Sequence, residues 1–337
     1  MSTILYLAHT ETDGTLAKIS REALTAAQEL AEGMGAELAV GIIGADVSAA
    51  AESIGSCKAR FLGVSGDEFS QGRYASDVAA AEALFKVVTP DVVVAPASFR
   101  FSRAIPGLAV RVDGRVDTHL TGLEAENGNP VAKRWFYRQR MMGEFAREER
   151  PWILTLDPGC FASFEGAGSV DVELVDAALP EMRTTVTGIQ APDADEQTIR
   201  PDAKTLFVAG AGWTKKQSDG QSHVQEAEEV ISQFLGVTKA SLGSSKSLVD
   251  ISGEGQAVIS FLTHLHQVGQ TGSTPRHTKG LATCCHGEEP HVVGWRFINE
   301  RRAINTDASC GWAQGKADVL YVADAFELVK KLNELLA

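Results

Sequence analysis

The sequence predicts an α/β protein of two domains, each built on a mostly parallel, doubly wound sheet flanked by helices. Three observations carry that prediction. Short β-branched runs alternate with longer helical stretches along most of the chain, a rhythm that requires right-handed crossovers. A polar, proline-punctuated stretch, APDADEQTIRP, interrupts the rhythm. The length of 337 residues is more than one small hydrophobic core organises.

The elements follow in order. ILYLA reads as the first strand, Leu16 to Met34 as a helix, ELAVGII as a strand and Ala49 to Ile54 as a short helix. ARFLGV, a helix from Ser76 to Val87, and DVVVAPA continue the series. From Gly122 to Val175 the pattern changes, and AKRWFYRQRMMGEF and PWILTL read as an antiparallel extension of the sheet. The segment between Gln190 and Pro201 is the expected linker, giving an N-terminal domain over 1–195 and a C-terminal domain over 203–337. The second series is TLFVAGAG, a helix near Val224 to Leu235, a short strand from Val237 to Ser241, GLATCC, RRAINT, DVLYVA, and a helix from about Ala325 to Leu336. No fixed-period repeat or low-complexity tract interrupts it.

Composition narrows the function classes. Hydrophobic residues make up 44% and charged residues 22%, a globular balance. A net charge of −13 repels nucleic acid and anionic lipid, so small molecules and proteins are the expected partners. The start MSTILYLAHTE lacks a secretory pattern, no apolar run is long enough to insert in a membrane, and five scattered cysteines do not make a disulfide framework. A cytoplasmic location is the expectation. The basic run from Lys133 to Arg150 interleaves aromatic residues, but Glu144, Glu148 and Glu149 offset its charge, which favours a solvated sheet face or a subunit contact over nucleic acid.

Three segments carry candidate chemistry. LFVAGAGWTKK places Gly210 and Gly212 directly after a buried-type strand, where a phosphate can approach the backbone or where an ordinary turn suffices. LGSSKSLVD offers hydroxyls and one cation in a loop, suited to pyrophosphate or simply to a turn. QVGQTG, from Gln267 to Gly272, is rich in side-chain donors and low in bulk, which suits the polar edge of a ring. His291 lies 20 residues after Thr271, and Asn305 and Asp307 end the strand-like RRAINTD. Cys284, Cys285, His286 and His291 are soft-metal ligands by type, but adjacent cysteines chelate one zinc poorly, and a strand end is the simpler reading.

In this order and spacing, GSSKSLVD, QVGQTG, CCHGEEPH, AINTD and KADVLYVADAF resemble the segments G(A)SRxxVD, QVGQTG, GISGAIQH, AINxD and ADYGxxxDL of electron transfer flavoprotein alpha subunits. APASFRFSRAIPGLAVR and YRQRMMGEF extend the resemblance, more loosely, through the N-terminal half. The resemblance implies a flavodoxin-like or Rossmann-like C-terminal domain that binds FAD. It places Thr271 at flavin N5, the backbone of Val268, Gly269 and Gln270 along the isoalloxazine, and His291, in a stretch that keeps Gly287, at the pyrimidine O2. A donor at O2 stabilises negative charge on the ring and so helps a two-electron cofactor pass single electrons. Ser245 corresponds to a diphosphate contact, Lys246 to an arginine near the flavin, and Asn305 and Asp324 to residues holding the rest of FAD.

The resemblance further implies an electron carrier rather than an enzyme. Its N-terminal domain serves as a subunit interface with a beta subunit that carries AMP. Electrons arrive from flavoprotein dehydrogenases of the acyl-CoA or the N-methylated amine type, such as those for dimethylglycine and sarcosine, and leave to a quinone oxidoreductase. Departures from the family pattern are Lys246 for arginine, Ala211 for the arginine of a GGRG run, and Glu288 and Glu289 for neutral residues. They favour a dedicated, pathway-specific carrier, and they motivate an alternative: a nucleotide-binding scaffold subunit without redox function.

Overall fold

The computed structural model describes residues 2–136, 141–188, 199–200, 202–250, 258–269, 274–283, 295 and 298–337. Residue contacts divide the chain into two compact units, Met1–Ile189 and Gln190–Ala337. The expected linker falls mostly on residues outside this description.

Unit 1 alternates strand and helix as far as its fifth strand: β1 (Thr3–His9), α1 (Lys18–Met34), β2 (Glu37–Gly44), α2 (Ser48–Glu52), β3 (Arg60–Ser65), α3 (Tyr74–Val88), β4 (Val92–Pro96), α4 (Phe99–Arg111) and β5 (Arg115–Leu120). Three antiparallel strands follow, β6 (Gly122–Glu126), β7 (Asn129–Phe136) and β8 (Met141–Phe145), then β9 (Trp152–Leu156) and the short β10 (Val172–Leu174). Seven strands form one parallel sheet in the order β10-β3-β2-β1-β4-β9-β5. Strands β1, β4 and β9 are buried almost throughout, because helices cover both faces and leave no solvent side for polar alternation.

The two faces have separate cores. Ala23, Ala27, Leu30 and Ala31 of α1 pack on one face with Leu123 of β6 and Ala132 of β7. Here Gly33 earns its place, since a Cβ on it would lie 2.7 Å from the Ala125 Cβ. Leu84 of α3 and Phe101, Ile105 and Leu108 of α4 fill the opposite face. The C-terminal end of α1 is closed by Gly35 in the left-handed conformation, φ 62°.

Two details differ from the sequence reading. The run AKRWFYRQRMMGEF does contribute antiparallel strands, but they form a separate three-stranded sheet, and PWILTL is an interior parallel strand between β4 and β5. Its five residues are all buried, so it carries no period-2 signal to distinguish the two settings. The charges around β7 are neutralised locally: Lys133 lies 2.9 Å from Glu124 and 3.2 Å from Glu144, and Arg134 stacks 4.5 Å from the Phe136 ring centroid.

Unit 2 comprises β11 (Thr205–Ala209), α5 (Val224–Thr238), β12 (Ser241–Ser244), α6 (Lys246–Asp250), β13 (His277–Thr283), β14 (Ile298–Asn305), α7 (Gly311–Lys316), β15 (Val319–Val322) and α8 (Ala325–Leu336). Its sheet is wholly parallel in the order β12-β11-β13-β14-β15, the flavodoxin-like order in which the chain reverses direction beside its first strand. Phe207, Phe234, Trp213 and Phe326 pack on the face covered by α5 and α8. The expected strand from Val237 to Ser241 is shifted. Val237 and Thr238 close α5, Lys239 ends it at φ 55°, and β12 starts only at Ser241. No helix among the described residues is long and apolar enough to cross a membrane.

Candidate cofactor-binding site

All five strands of unit 2 run the same way, so their carboxyl ends lie on one edge. The strand order reverses between β11 and β13, and open α/β sheets bind ligands outside the carboxyl ends at such a point. Four strand intervals at roughly 4.8 Å give this edge a length of about 19 Å from β12 to β15. That span suits an extended ligand.

The floor at the reversal is rigid. Gly210 donates its N–H to the Thr283 carbonyl at 3.0 Å, Thr283 Oγ1 donates to the Val208 carbonyl at 2.8 Å and accepts from Trp213 Nε1 at 2.7 Å. The chain after β11 turns through a short 3-10 helix, Ala211–Thr214, whose Ala211, Gly212 and Trp213 are buried. Gly210 sits at φ −93°, which any residue can adopt.

At the end of β12 the doubled serine divides its work. Ser245, fully buried, donates its N–H to the Ala209 carbonyl at 2.8 Å and accepts the Leu248 N–H on Oγ at 3.3 Å. Lys246 stands exposed at the first position of α6. Among the described residues Ser244 Oγ is buried with no hydrogen-bond partner. The loop Gln267–Gly269 docks against this same end: Gln267 bridges Ser244 in parallel, and Val268 N–H donates to the Ser244 carbonyl at 3.0 Å. Val268 is fully buried, and Gly243 lets it in, since a Cβ there would lie 2.7 Å from Val268 Cγ2. Gly269 takes φ 78° and donates to Thr274 Oγ1 at 2.8 Å. Gln270, Thr271, Gly287 and His291, with Cys284, Cys285, His286, Glu288 and Glu289, lie outside the described residues.

Asn305 ends β14, fully buried, with its Oδ1 accepting the Asp307 N–H at 2.8 Å. Because that partner is a donor, the amide orientation is fixed and the NH₂ faces the other way. Its Nδ2 has no acceptor among the described residues. Asp324 follows β15 and caps α8, its Oδ1 accepting from Phe326 N at 2.8 Å and Glu327 N at 3.2 Å.

The structure thus brings Ser245, Lys246, Val268, Gly269, Asn305 and Asp324 to one edge of one sheet, and adds Ser244, which the sequence reading passed over. Buried polar groups are nearly always paired, so two orphans on one edge, the Ser244 hydroxyl and the Asn305 amide, leave hydrogen-bonding groups there that a polar ligand could meet. An FAD fits this donor set, hydroxyl and amide hydrogens meeting phosphate and hydroxyl oxygens. Among the described residues no group of three or more metal-binding side chains assembles.

The fold defines a class of α/β proteins built of two parallel, doubly wound sheets, the second in the flavodoxin-like order. The description "Electron transfer flavoprotein domain" belongs to the family model that matches residues 4–180, nearly all of unit 1. The chain belongs to the electron transfer flavoprotein family, and within it is alpha-like. It is 26% identical over 333 residues to the electron transfer flavoprotein subunit alpha of Bradyrhizobium diazoefficiens, covering 99% of this chain and 98% of that one. It is 24% identical over 323 residues to the subunit of the same name from Syntrophomonas wolfei, covering 95% of each. With that of Clostridium acetobutylicum it shares 26% over 334 residues, 95% of this chain and 93% of the relative.

Proposed function

We propose that this chain is the FAD-holding alpha subunit of a heterodimeric electron transfer flavoprotein, a cytoplasmic carrier without substrate turnover of its own. Its place is between flavoprotein dehydrogenases, of the acyl-CoA or N-methylated amine type, and a quinone oxidoreductase of the respiratory chain. The observation that carries this reading is the pair of orphaned donors, Ser244 Oγ and Asn305 Nδ2, on the carboxyl edge of unit 2.

FAD, once bound, supplies the redox chemistry: it accepts two electrons together and releases them singly. The chain's part is to bind and tune. Ser244, Ser245 and Asn305 hold the phosphate and ribityl oxygens, and the carboxylate of Asp324, fixed by its own cap bonds, positions a hydroxyl of the cofactor chain. Val268 and Gly269 set the loop that carries Gln270 and Thr271 to the ring, where Thr271 donates at N5. His291, in the stretch that keeps Gly287, would donate at O2, and Lys246 would contribute a point charge where an arginine fork binds two oxygens. Unit 1 supplies the surface for a beta subunit that carries AMP.

Co-expression with the beta subunit tests the reading. The purified heterodimer should absorb at about 450 nm, as flavins do, with one FAD per alpha chain; a colourless complex that takes up no added FAD rejects it. Reduction by purified dehydrogenases of each class then assigns the donor, and fast reduction by acyl-CoA dehydrogenase alone rejects a dedicated N-methyl amine pathway.

A further inference from the structure

Unit 1 has its own reversal of strand order, between β1 and β4, and the reading above makes no use of it. A cavity of about 540 Å³ opens at that point, beyond the carboxyl ends of the two strands. Its size falls within the range of small-molecule sites, and its place follows the rule for open α/β sheets.

A histidine, a serine and two arginines line it where the strands end. His9 closes β1 and Ser98 precedes α4, and His9 Nε2 lies 2.8 Å from Ser98 Oγ. That hydroxyl also accepts the Phe101 N–H at 3.2 Å and so caps the 13-residue α4. The Phe99 and Arg100 N–H groups of the first turn remain without partners among the described residues, and they carry the positive end of the helix dipole. Arg100 is buried and held by Asp77 at 2.8 Å and the Phe69 carbonyl at 2.9 Å. Arg103, one turn on, lies 3.9 Å from the same carboxylate with its side chain 40% exposed. It makes no hydrogen bond among the described residues. Burial, and then Arg100, push His9 down to about 4, so its imidazole is neutral at physiological pH. Among the described residues Glu11 is the one carboxylate on the lining, 48% exposed at the rim.

The mouth carries an aromatic ring in the open. Phe99 is 86% exposed, with the Arg103 guanidinium 5.6 Å from its centroid. A chain of net charge −13 therefore gathers two guanidiniums, unpaired helix N–H groups and a bare ring into one cleft. The geometry points to a binding site for a small phosphorylated molecule bearing a planar ring, of nucleoside monophosphate size. The phosphate meets the first turn of α4 and Arg103, and the ring lies against Phe99.

Hydrogen exchange of the full-length chain, saturated with FAD, tests this during titration with inorganic phosphate and with a nucleoside monophosphate. Peptides spanning 98–103 report unit 1, and peptides from unit 2 report the FAD edge separately, so the two sites cannot be confused. The expected result is saturable protection of 98–103, at least about tenfold tighter for the nucleotide than for phosphate. Arg103→Gln should weaken both ligands about tenfold, and Phe99→Ala the nucleotide alone. Arg103 and Phe99 project from the solvent side of α4, so these variants leave the core intact. No protection of 98–103 by millimolar ligand, protection unaffected by Arg103→Gln, or equal affinity for phosphate and nucleotide would each overturn the proposal.

Discussion

Truncating Asn305 to alanine should separate folding from cofactor binding. In the ligand-free chain the substitution removes two opposing contributions. The Oδ1 bond to the Asp307 N–H is worth about 1 kcal/mol net, and the released N–H belongs to an exposed residue where water replaces the lost acceptor. The orphaned Nδ2 carries a desolvation penalty of about 1–3 kcal/mol, which the substitution relieves. The two partly offset, so the urea midpoint of the FAD-free heterodimer should correspond to a change between zero and about 2 kcal/mol of added stability. Cofactor affinity should behave differently, because Nδ2 then donates to FAD in the wild type. Losing a buried hydrogen bond of about 1–3 kcal/mol weakens binding roughly 5- to 150-fold. Equilibrium dialysis with flavin fluorescence measures it. If Asn305→Ala lowers stability by more than about 2 kcal/mol and leaves FAD affinity unchanged, the amide is a structural capping group and the argument from the orphan fails.

Thr283→Val keeps the shape of the β13 terminus but strands Trp213 Nε1, now bonded at 2.7 Å; about 1–3 kcal/mol of stability should be lost, read from urea melts followed by tryptophan fluorescence. Gly243→Ala pushes on Val268 Cγ2, 2.7 Å from the new Cβ. It should cost about 1–3 kcal/mol and weaken FAD, whereas unaltered FAD binding would detach the loop Gln267–Gly269 from the site. The His9 imidazole is depressed from the ordinary 6.5 to about 4, by burial first and Arg100 second. Between those values the unfolded chain binds a proton that the folded chain refuses. Stability is therefore fully present above pH 6.5 and falls on acidification toward pH 4, by at most about 3 kcal/mol. His9→Gln should flatten that part of the urea-midpoint profile; an unchanged slope would show that other groups set it.

Much of this architecture is legible in the sequence because parallel α/β units announce themselves locally. The helix from Ala325 to Leu336 is bounded by an aspartate whose cap bonds are of the kind sequence patterns encode. Legibility ends where a run has no period. Trp152–Leu156 is buried on both faces, and nothing in WILTL states whether its neighbours run parallel or antiparallel. Val237 and Thr238 are β-branched, yet α5 continues through them because Phe234 and Ile231 anchor its last turns in the core. In the candidate site the doubled serine of GSSK marked the place, but its division of labour required coordinates. Ser245 satisfies its own backbone neighbourhood, and the preceding Ser244 is the one left without a partner.

The position of β9 has a consequence for biosynthesis. It enters the sheet between β4 and β5, although the whole β6–β8 sheet separates it in sequence from β5. A nascent chain that has extended only to Phe145 therefore holds β4 and β5 as two facing, unfilled margins, both built of strand backbone with free hydrogen-bonding groups. Only the emergence of Trp152–Leu156 seals them. During that interval the growing polypeptide offers an open template to strands of other chains.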